Sequence, residues 1–184
     1  KKIIPTTLDL VDIAGLVKGA SQGEGLGNAF LSNIREMQAL AHVVRCFEDQ
    51  NITHVDGSVD PVRDAEIINL ELIFADLESV LKRLMKTEKL LKTSDQQNKK
   101  DHEILNRIKS ELESGKFISL KSFDDDEKAF VKSLHLLTIK PMFYIANVSD
   151  DSRSKELLNS LEDFARNLNQ DVVPTFIKIE QEIA

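Results

Sequence analysis

A single cysteine, Cys46, in 184 residues excludes an internal disulfide and a structural zinc site. No apolar run reaches the roughly 18 residues of a membrane-spanning helix. The amino terminus, Lys1-Lys2-Ile3-Ile4-Pro5, has neither the apolar core nor the small-residue cleavage site of a signal peptide. A cytosolic setting is the default these absences leave. Glycine and proline are scarce, at 7 and 4, beside 41% hydrophobic and 30% charged residues; the apolar content is too high for a disordered polymer and too low for a membrane protein. A basic excess is missing too. The 24 Lys and Arg against 31 Asp and Glu leave a net charge of -7, which excludes the whole-chain footprint of a generic nucleic-acid binder but leaves room for a local basic patch. An initiator Met is also absent, so the chain is expected to begin in mid-protein. Its length suits one ordinary globular domain.

What is present is unevenly distributed. Five of the seven glycines, Gly15, Gly19, Gly23, Gly25 and Gly27, fall within positions 15–27, which concentrates conformational freedom in one loop. Before it, Thr6 to Asp12 alternates apolar and polar residues and predicts a strand. After it, Asn28 reads as the N-cap of a helix through Phe30, Leu31, Ile34 and Met37. Ala41 to Phe47 is a short apolar run with β-branched members, the pattern of a buried strand in a parallel sheet. Asp49 to Pro61 is polar and turn-rich.

From Val62 the spacing becomes helical. Leu70, Ile73, Leu77, Val80, Leu84, Thr87 and Leu91 alternate by three and four over about three heptad repeats. A second segment carries Leu105, Ile108 and Leu112. A third, after the acidic cap Asp124-Asp125-Asp126, carries Phe130, Leu134 and Leu137. Together they predict an antiparallel helical hairpin with an irregular tip or break around Gly115 to Phe123. Met142 to Asn147 then reads as a buried strand, Lys155 to Leu168 as an amphipathic helix and Val172 to Ile177 as a last strand. The expected fold is α/β with a helical insertion: residues 1–66 and 139–184 form the sheet domain and 67–138 the arm.

The chemistry-bearing element is Asp12-Ile13-Ala14-Gly15 between a strand and a mobile glycine-rich loop. A strand-end Asp can hold a Mg²⁺-bound water, and a glycine N–H can approach a γ-phosphate with no Cβ in the way. The longer string from Asp12 to Asn28, with Lys18-Gly19-Ala20-Ser21-Gln22-Gly23-Glu24-Gly25 at its centre, resembles the YchF/Obg-like ATPases. The resemblance continues through Asn33 to Glu36, His42 to Phe47, Asn51 to Val55, Asp64 to Asp76 and Lys140 to Asn147. It is weakest between Lys86 and Lys132.

The resemblance implies a cytosolic P-loop ATPase of the translation-factor class, with a Ras-like or Obg-like parallel sheet, an inserted coiled-coil arm and a C-terminal TGS domain. Neither the G-x-x-x-x-G-K-[ST] phosphate loop nor the TGS domain is present in these 184 residues, so the sequence reads as the middle of such a protein. Asp12 is the implied Mg²⁺ residue and Gly15 the γ-phosphate contact. Where Ras-like proteins carry a water-orienting Gln, this chain has Leu16, which makes no hydrogen bond to water. The resemblance offers His54 as the substitute, while its polar loop alone also fits a plain solvent-facing residue.

Base recognition is expected after the strand ending at Asn147. Guanine-specific relatives use N-K-x-D and the Obg-like ATPases N-x-x-E. This chain has Asn147-Val148-Ser149-Asp150, without the Lys of the first pattern and with Asp in place of the Glu of the second. ATP is the expected nucleotide on the family context, and GTP stays open. The expected assignments are therefore His54 as catalytic residue, Gly15, Asn147, Val148 and Asp150 at the nucleotide, Asp12 at Mg²⁺, and neither membrane nor DNA as partner. Lys82, Arg83, Lys86, Lys89, Lys92, Lys99 and Lys100 give the arm a local basic excess suited to ribosomal RNA phosphate or, equally, to a solvated helix face. A competing reading is a non-catalytic ribosome-binding or partner-binding module in which nucleotide acts only as a switch. His42 and His135 read as satisfied structural histidines, His102 as a surface residue and Cys46 as core. Lys18, Lys140 and the stretch Phe176 to Lys178 receive no role.

Overall fold

The computed structural model describes residues 7, 9–12, 33–54, 57–91 and 96–183. Thr6, Gly15, the rest of the glycine-rich loop, Asn28, Phe30 and Leu31 lie outside them. The helix expected from Asn28 is described at 33–36.

Three parallel strands form the described sheet: β1 (Leu40–Cys46), β2 (Met142–Val148) and β3 (Val172–Thr175), in the order β1-β2-β3. Leu40 pairs with Met142 and Cys46 with Val148 across the first ladder; Tyr144 pairs with Val172 and Asn147 with Thr175 across the second. Alternate residues point to opposite faces. Val44, Cys46, Tyr144, Ala146 and Val148 face a core completed by Ala65 and by Leu157, Leu161 and Ala165. On the other face Val43 and Val173 are exposed. The apolar run at 41–47 is thus covered on one side only among the described residues, where its composition predicts burial on both.

The first helix, α1, spans Pro61–Leu90, about 45 Å of continuous helix at 1.5 Å per residue. Its start is specified locally: Asp60 accepts from the amides of Val62 and Arg63, and Pro61 occupies the first turn, where its missing N–H costs nothing. Near its start α1 packs on the sheet, with Asn69 donating to the Tyr144 hydroxyl at 2.9 Å. Beyond, it packs on α2 (Gln96–Glu113). Ile73, Val80 and Leu84 interlock with Ile104, Leu105, Ile108 and Leu112, and Ile118, Phe123, Val131 and Leu136 close the same core.

The heptad seam therefore packs as its spacing predicts, except at Leu70, which is 43% exposed. A straight helix drifts about 20° per heptad relative to a 3.5-residue repeat, and Leu70 lies outside the core that α1 shares with α2, which begins at Ile73. The position of the hairpin turn also differs. The first long helix ends at Leu90 and the second begins at Gln96, whereas Gly115 to Phe123 is the return path. There Gly115 (φ +74°) ends α2 in a Schellman motif, with Lys116 N–H on Glu111 O and Gly115 N–H on Leu112 O. Asp124 and Glu127 form a capping box that starts α3 (Asp125–Ser133), as the acidic run predicts.

His135 is not a buried structural histidine. It is exposed at φ +51°, the left-handed residue that stops α3, and its N–H bonds Lys132 O. The crossover helix α4 (Ser152–Asn167) ends on Asn169 in the same way, with Gln170 N–H on Ala165 O. Two strand expectations fail. Thr7 and Asp9 to Asp12 are not in a strand: Leu10 and Val11 are 78% and 58% exposed, so their alternation has no layer to bury it. The last strand stops at Thr175, where the ladder to β2 runs out. The chain then turns into α5 (Ile177–Ile183), so the last two residues of the expected strand, Phe176 and Ile177, fall outside it.

Candidate nucleotide site

The carboxyl ends of the parallel strands carry the candidate residues. Asn147 is the penultimate residue of β2, on the face opposite the core, half-buried and paired in register with Arg45 and Thr175. Val148 turns into the core. Asp150, beyond the strand, is largely exposed and meets Lys155 Nζ at 3.5 Å. The turn is fixed by Ser154, buried in the first turn of α4: its hydroxyl accepts from Ser149 N–H at 2.9 Å and donates to Cys46 O at 2.5 Å. Asp151 caps the helix through Ser154 N–H at 2.8 Å and accepts the Ser149 hydroxyl; both hold its carboxyl below the ordinary range. One serine thus ties the ends of β1 and β2 to α4, a role the isolated loop sequence does not advertise.

The loop after β1 is anchored from the same strand end. Arg45 stacks over the Phe47 ring at 4.7 Å and donates to Phe47 O and Ile52 O at 3.0 and 3.1 Å. His54 is not a plain solvent-facing residue. Its Nε2 lies 2.9 Å from Asp64 Oδ2, both side chains being mostly buried. The other Asp64 oxygen receives Arg63 Nε and Nη2 at 3.2 and 3.0 Å, and Arg63 also reaches Ser58 O at 2.7 Å. Asp12 is exposed, and no hydrogen bond or ion pair among the described residues joins it to His54, Asn147 or Asp150. Gly15 lies outside the described residues.

Under this end of the sheet sit two buried groups with displaced titrations. Burial lowers His42 from 6.5 to about 4, against the pull of the Asp64 carboxylate. Burial and the same carboxylate push the Cys46 thiol up to about 12, which makes it an inert core residue. His42 tilts against Tyr144 at 5.5 Å, and its buried Nδ1 has no hydrogen-bond partner among the described residues. His102 is half-buried beside Glu88 and Asn106.

A second polar centre escaped the sequence reading. Asp76, fully buried within α1, accepts from the amides of Leu137 and Thr138 at 2.9 and 2.8 Å, from the Thr138 hydroxyl at 2.8 Å and from Arg35 at 3.5 Å. Arg35 also donates to Ser79 Oγ and His135 O at 2.9 and 2.8 Å. Lys140 Nζ donates to Arg35 O at 2.9 Å and to Met37 O. Burial raises the Asp76 carboxyl above its ordinary value despite these donors. The signal was an acid between Ile73 and Val80 on the apolar stripe.

Residues 2–86 match the family model described as a 50S ribosome-binding GTPase. Over its whole length the chain is 48% identical to the ribosome-binding ATPase YchF of Bacillus subtilis and 43% identical to that of Escherichia coli O157:H7, covering 51% of each. The solved structure of the Schizosaccharomyces pombe YchF GTPase superposes with a TM-score of 0.73 at 33% identity, over 90% of this chain and 47% of that one. Along its whole length the chain is similar to YchF proteins. It spans about half the length of the curated relatives it matches. The parallel sheet with its helical insertion is accordingly part of a P-loop NTPase fold like that of the YchF structure.

Proposed function

We propose that the chain supplies the switch and base-recognition elements of a cytoplasmic, ribosome-associated YchF ATPase. Residues 1–66 and 139–184 serve as its nucleotide domain and 67–138 as its arm. The observation that carries this reading is the shared strand end: Arg45, which holds the His54 loop, pairs in register with Asn147. A nucleotide reading its base from Asn147 to Asp150 thereby has the loop of a water-orienting imidazole on the neighbouring strand. His54 is assigned to the attacking water, Gly15 to the γ-phosphate, and Asn147, Val148 and Asp150 to the base. These 184 residues contain no phosphate-gripping lysine motif, and alone they hydrolyse negligible ATP.

Mg²⁺ fits this donor set in a specific way. Asp12 offers one exposed carboxylate, and the described residues contain no cluster of three His, Cys, Asp or Glu, which suits an ion that takes one or two carboxylates and fills its shell with water and phosphate oxygens. Bound there, it would neutralise phosphate charge. Asp12 itself has only to hold a water ligand in place.

The relatives carry both ATPase and GTPase in their names. We assign adenine because Asn147-Val148-Ser149-Asp150 lacks the Lys of the guanine pattern. Lys82, Arg83, Lys86, Lys89, Lys99 and Lys100 are exposed on the arm and supply phosphate-neutralising charge for ribosomal RNA; Lys92 lies outside the described residues. The test uses the full-length protein that contains this chain. ATP displaces a fluorescent nucleotide at lower concentration than GTP, and His54→Ala lowers turnover roughly 100-fold, to a measurable residue, while leaving nucleotide binding intact. Equal displacement by ATP and GTP would refute the adenine assignment, and normal turnover by His54→Ala would remove His54 from the mechanism.

A further inference from the structure

We infer that Asp64 is a positioning residue that aims His54 and fixes which of its nitrogens carries the proton; this rests on the proposed role of His54. An ionised carboxylate has no proton to give, so the 2.9 Å contact requires Nε2 to be the donor. In the neutral ring that leaves the lone pair on Nδ1. The carboxylate cannot readily turn away. Its other oxygen is gripped by Arg63 through both Nε and Nη2, and the same guanidinium holds Ser58 O at 2.7 Å and Ser58 Oγ at 3.3 Å.

The loop that carries His54 is therefore fastened on the far side of the imidazole as well. Asp64 itself stands in the first turn of α1, whose start Asp60 caps, so the ring is referenced to a 30-residue helix rather than to its own loop. The arrangement is a base oriented by a second acid, built across a loop and a helix start.

A purely structural staple would use the same contact, so the test must separate the two. In the full-length protein, Asp64→Ala lowers kcat roughly 10- to 100-fold with KM for ATP unchanged, the size of effect expected when a proton-transfer group loses its aim. Asp64→Glu recovers part of that loss, and the Asp64→Ala/His54→Ala double variant is no slower than His54→Ala alone. Unchanged kcat in Asp64→Ala, or a further drop on top of His54→Ala, would overturn the inference. Nitrogen-15 shifts of the His54 ring provide an activity-independent readout: the proton is expected on Nε2 in the native protein and redistributed in Asp64→Ala. A native ring with its proton on Nδ1 would overturn it too. Should His54→Ala turn over normally, the catalytic reading falls, and the ring shifts still decide whether Asp64 sets the tautomer.

Discussion

Helix α1 carries two aspartates that face opposite circumstances. Asp76 is fully buried and gathers hydrogen bonds from Leu137, Thr138 and Arg35, residues scattered across the chain. Asp64, near the helix start, keeps about a fifth of its side chain exposed, and among the described residues its carboxylate meets the neighbouring Arg63 and the loop residue His54. Coulomb attraction is worth most where water is absent, and so is the penalty for a missing partner. Asp76 therefore holds the fold together, and Asp64 holds a side chain in place. The same residue type on the same helix is a foundation at one site and an adjustable fitting at the other.

That contrast breaks most sharply at Asp76. Asp76→Ala leaves the Arg35 guanidinium and two buried amides short of an acceptor, and a loss of about 3–5 kcal/mol in urea-unfolding stability is expected. A loss below about 1 kcal/mol would mean that the buried cluster is dispensable.

Next in size is a pH effect from His42, whose buried Nδ1 has no partner among the described residues. Its folded value of about 4 lies below the 6.5 of the unfolded chain, so the unfolded state binds the extra proton first. Stability is full above pH 6.5 and falls as pH drops toward 4, by about 2–3 kcal/mol. His42→Phe keeps a ring against Tyr144 and should flatten that slope; an unchanged slope assigns it to another group.

Ser154→Ala removes the donor to Cys46 O and the acceptor of Ser149 N–H, at a cost of about 2 kcal/mol read by thermal melting. The smallest expected stability effect is that of Asp64→Ala, below about 1 kcal/mol for a partly open ion pair. A large loss there would erase the distinction between the two aspartates.

The regular elements were legible because each repeats a local signal. The alternation of Val44 and Cys46, the three-and-four spacing of Ile73, Val80 and Leu84, and the acidic run before α3 all act over a few residues. The Arg35–Asp76–Thr138 cluster joins positions far apart in sequence, and only the acid on an apolar stripe hinted at it. The expected strands over Thr6 to Asp12 and at Phe176 and Ile177 misled for a shared reason: an apolar pattern predicts a strand only where a neighbouring ladder and a covering layer exist to reward it. In the candidate site, Asn147 was suggested by a motif and His54 by the family resemblance, whereas Asp64, Arg45 and Ser154 needed the fold to bring them into reach.

Because α1 runs unbroken from its Asp60 cap beside the sheet to Leu90, it works as a lever with a short arm and a long one. A tilt of about 5° at its base displaces the far end by about 4 Å over its roughly 45 Å length. Side-chain adjustments of a fraction of an ångström around Asp64 or Asp76 are thereby enlarged to the scale of a whole side chain where the arm meets its surroundings.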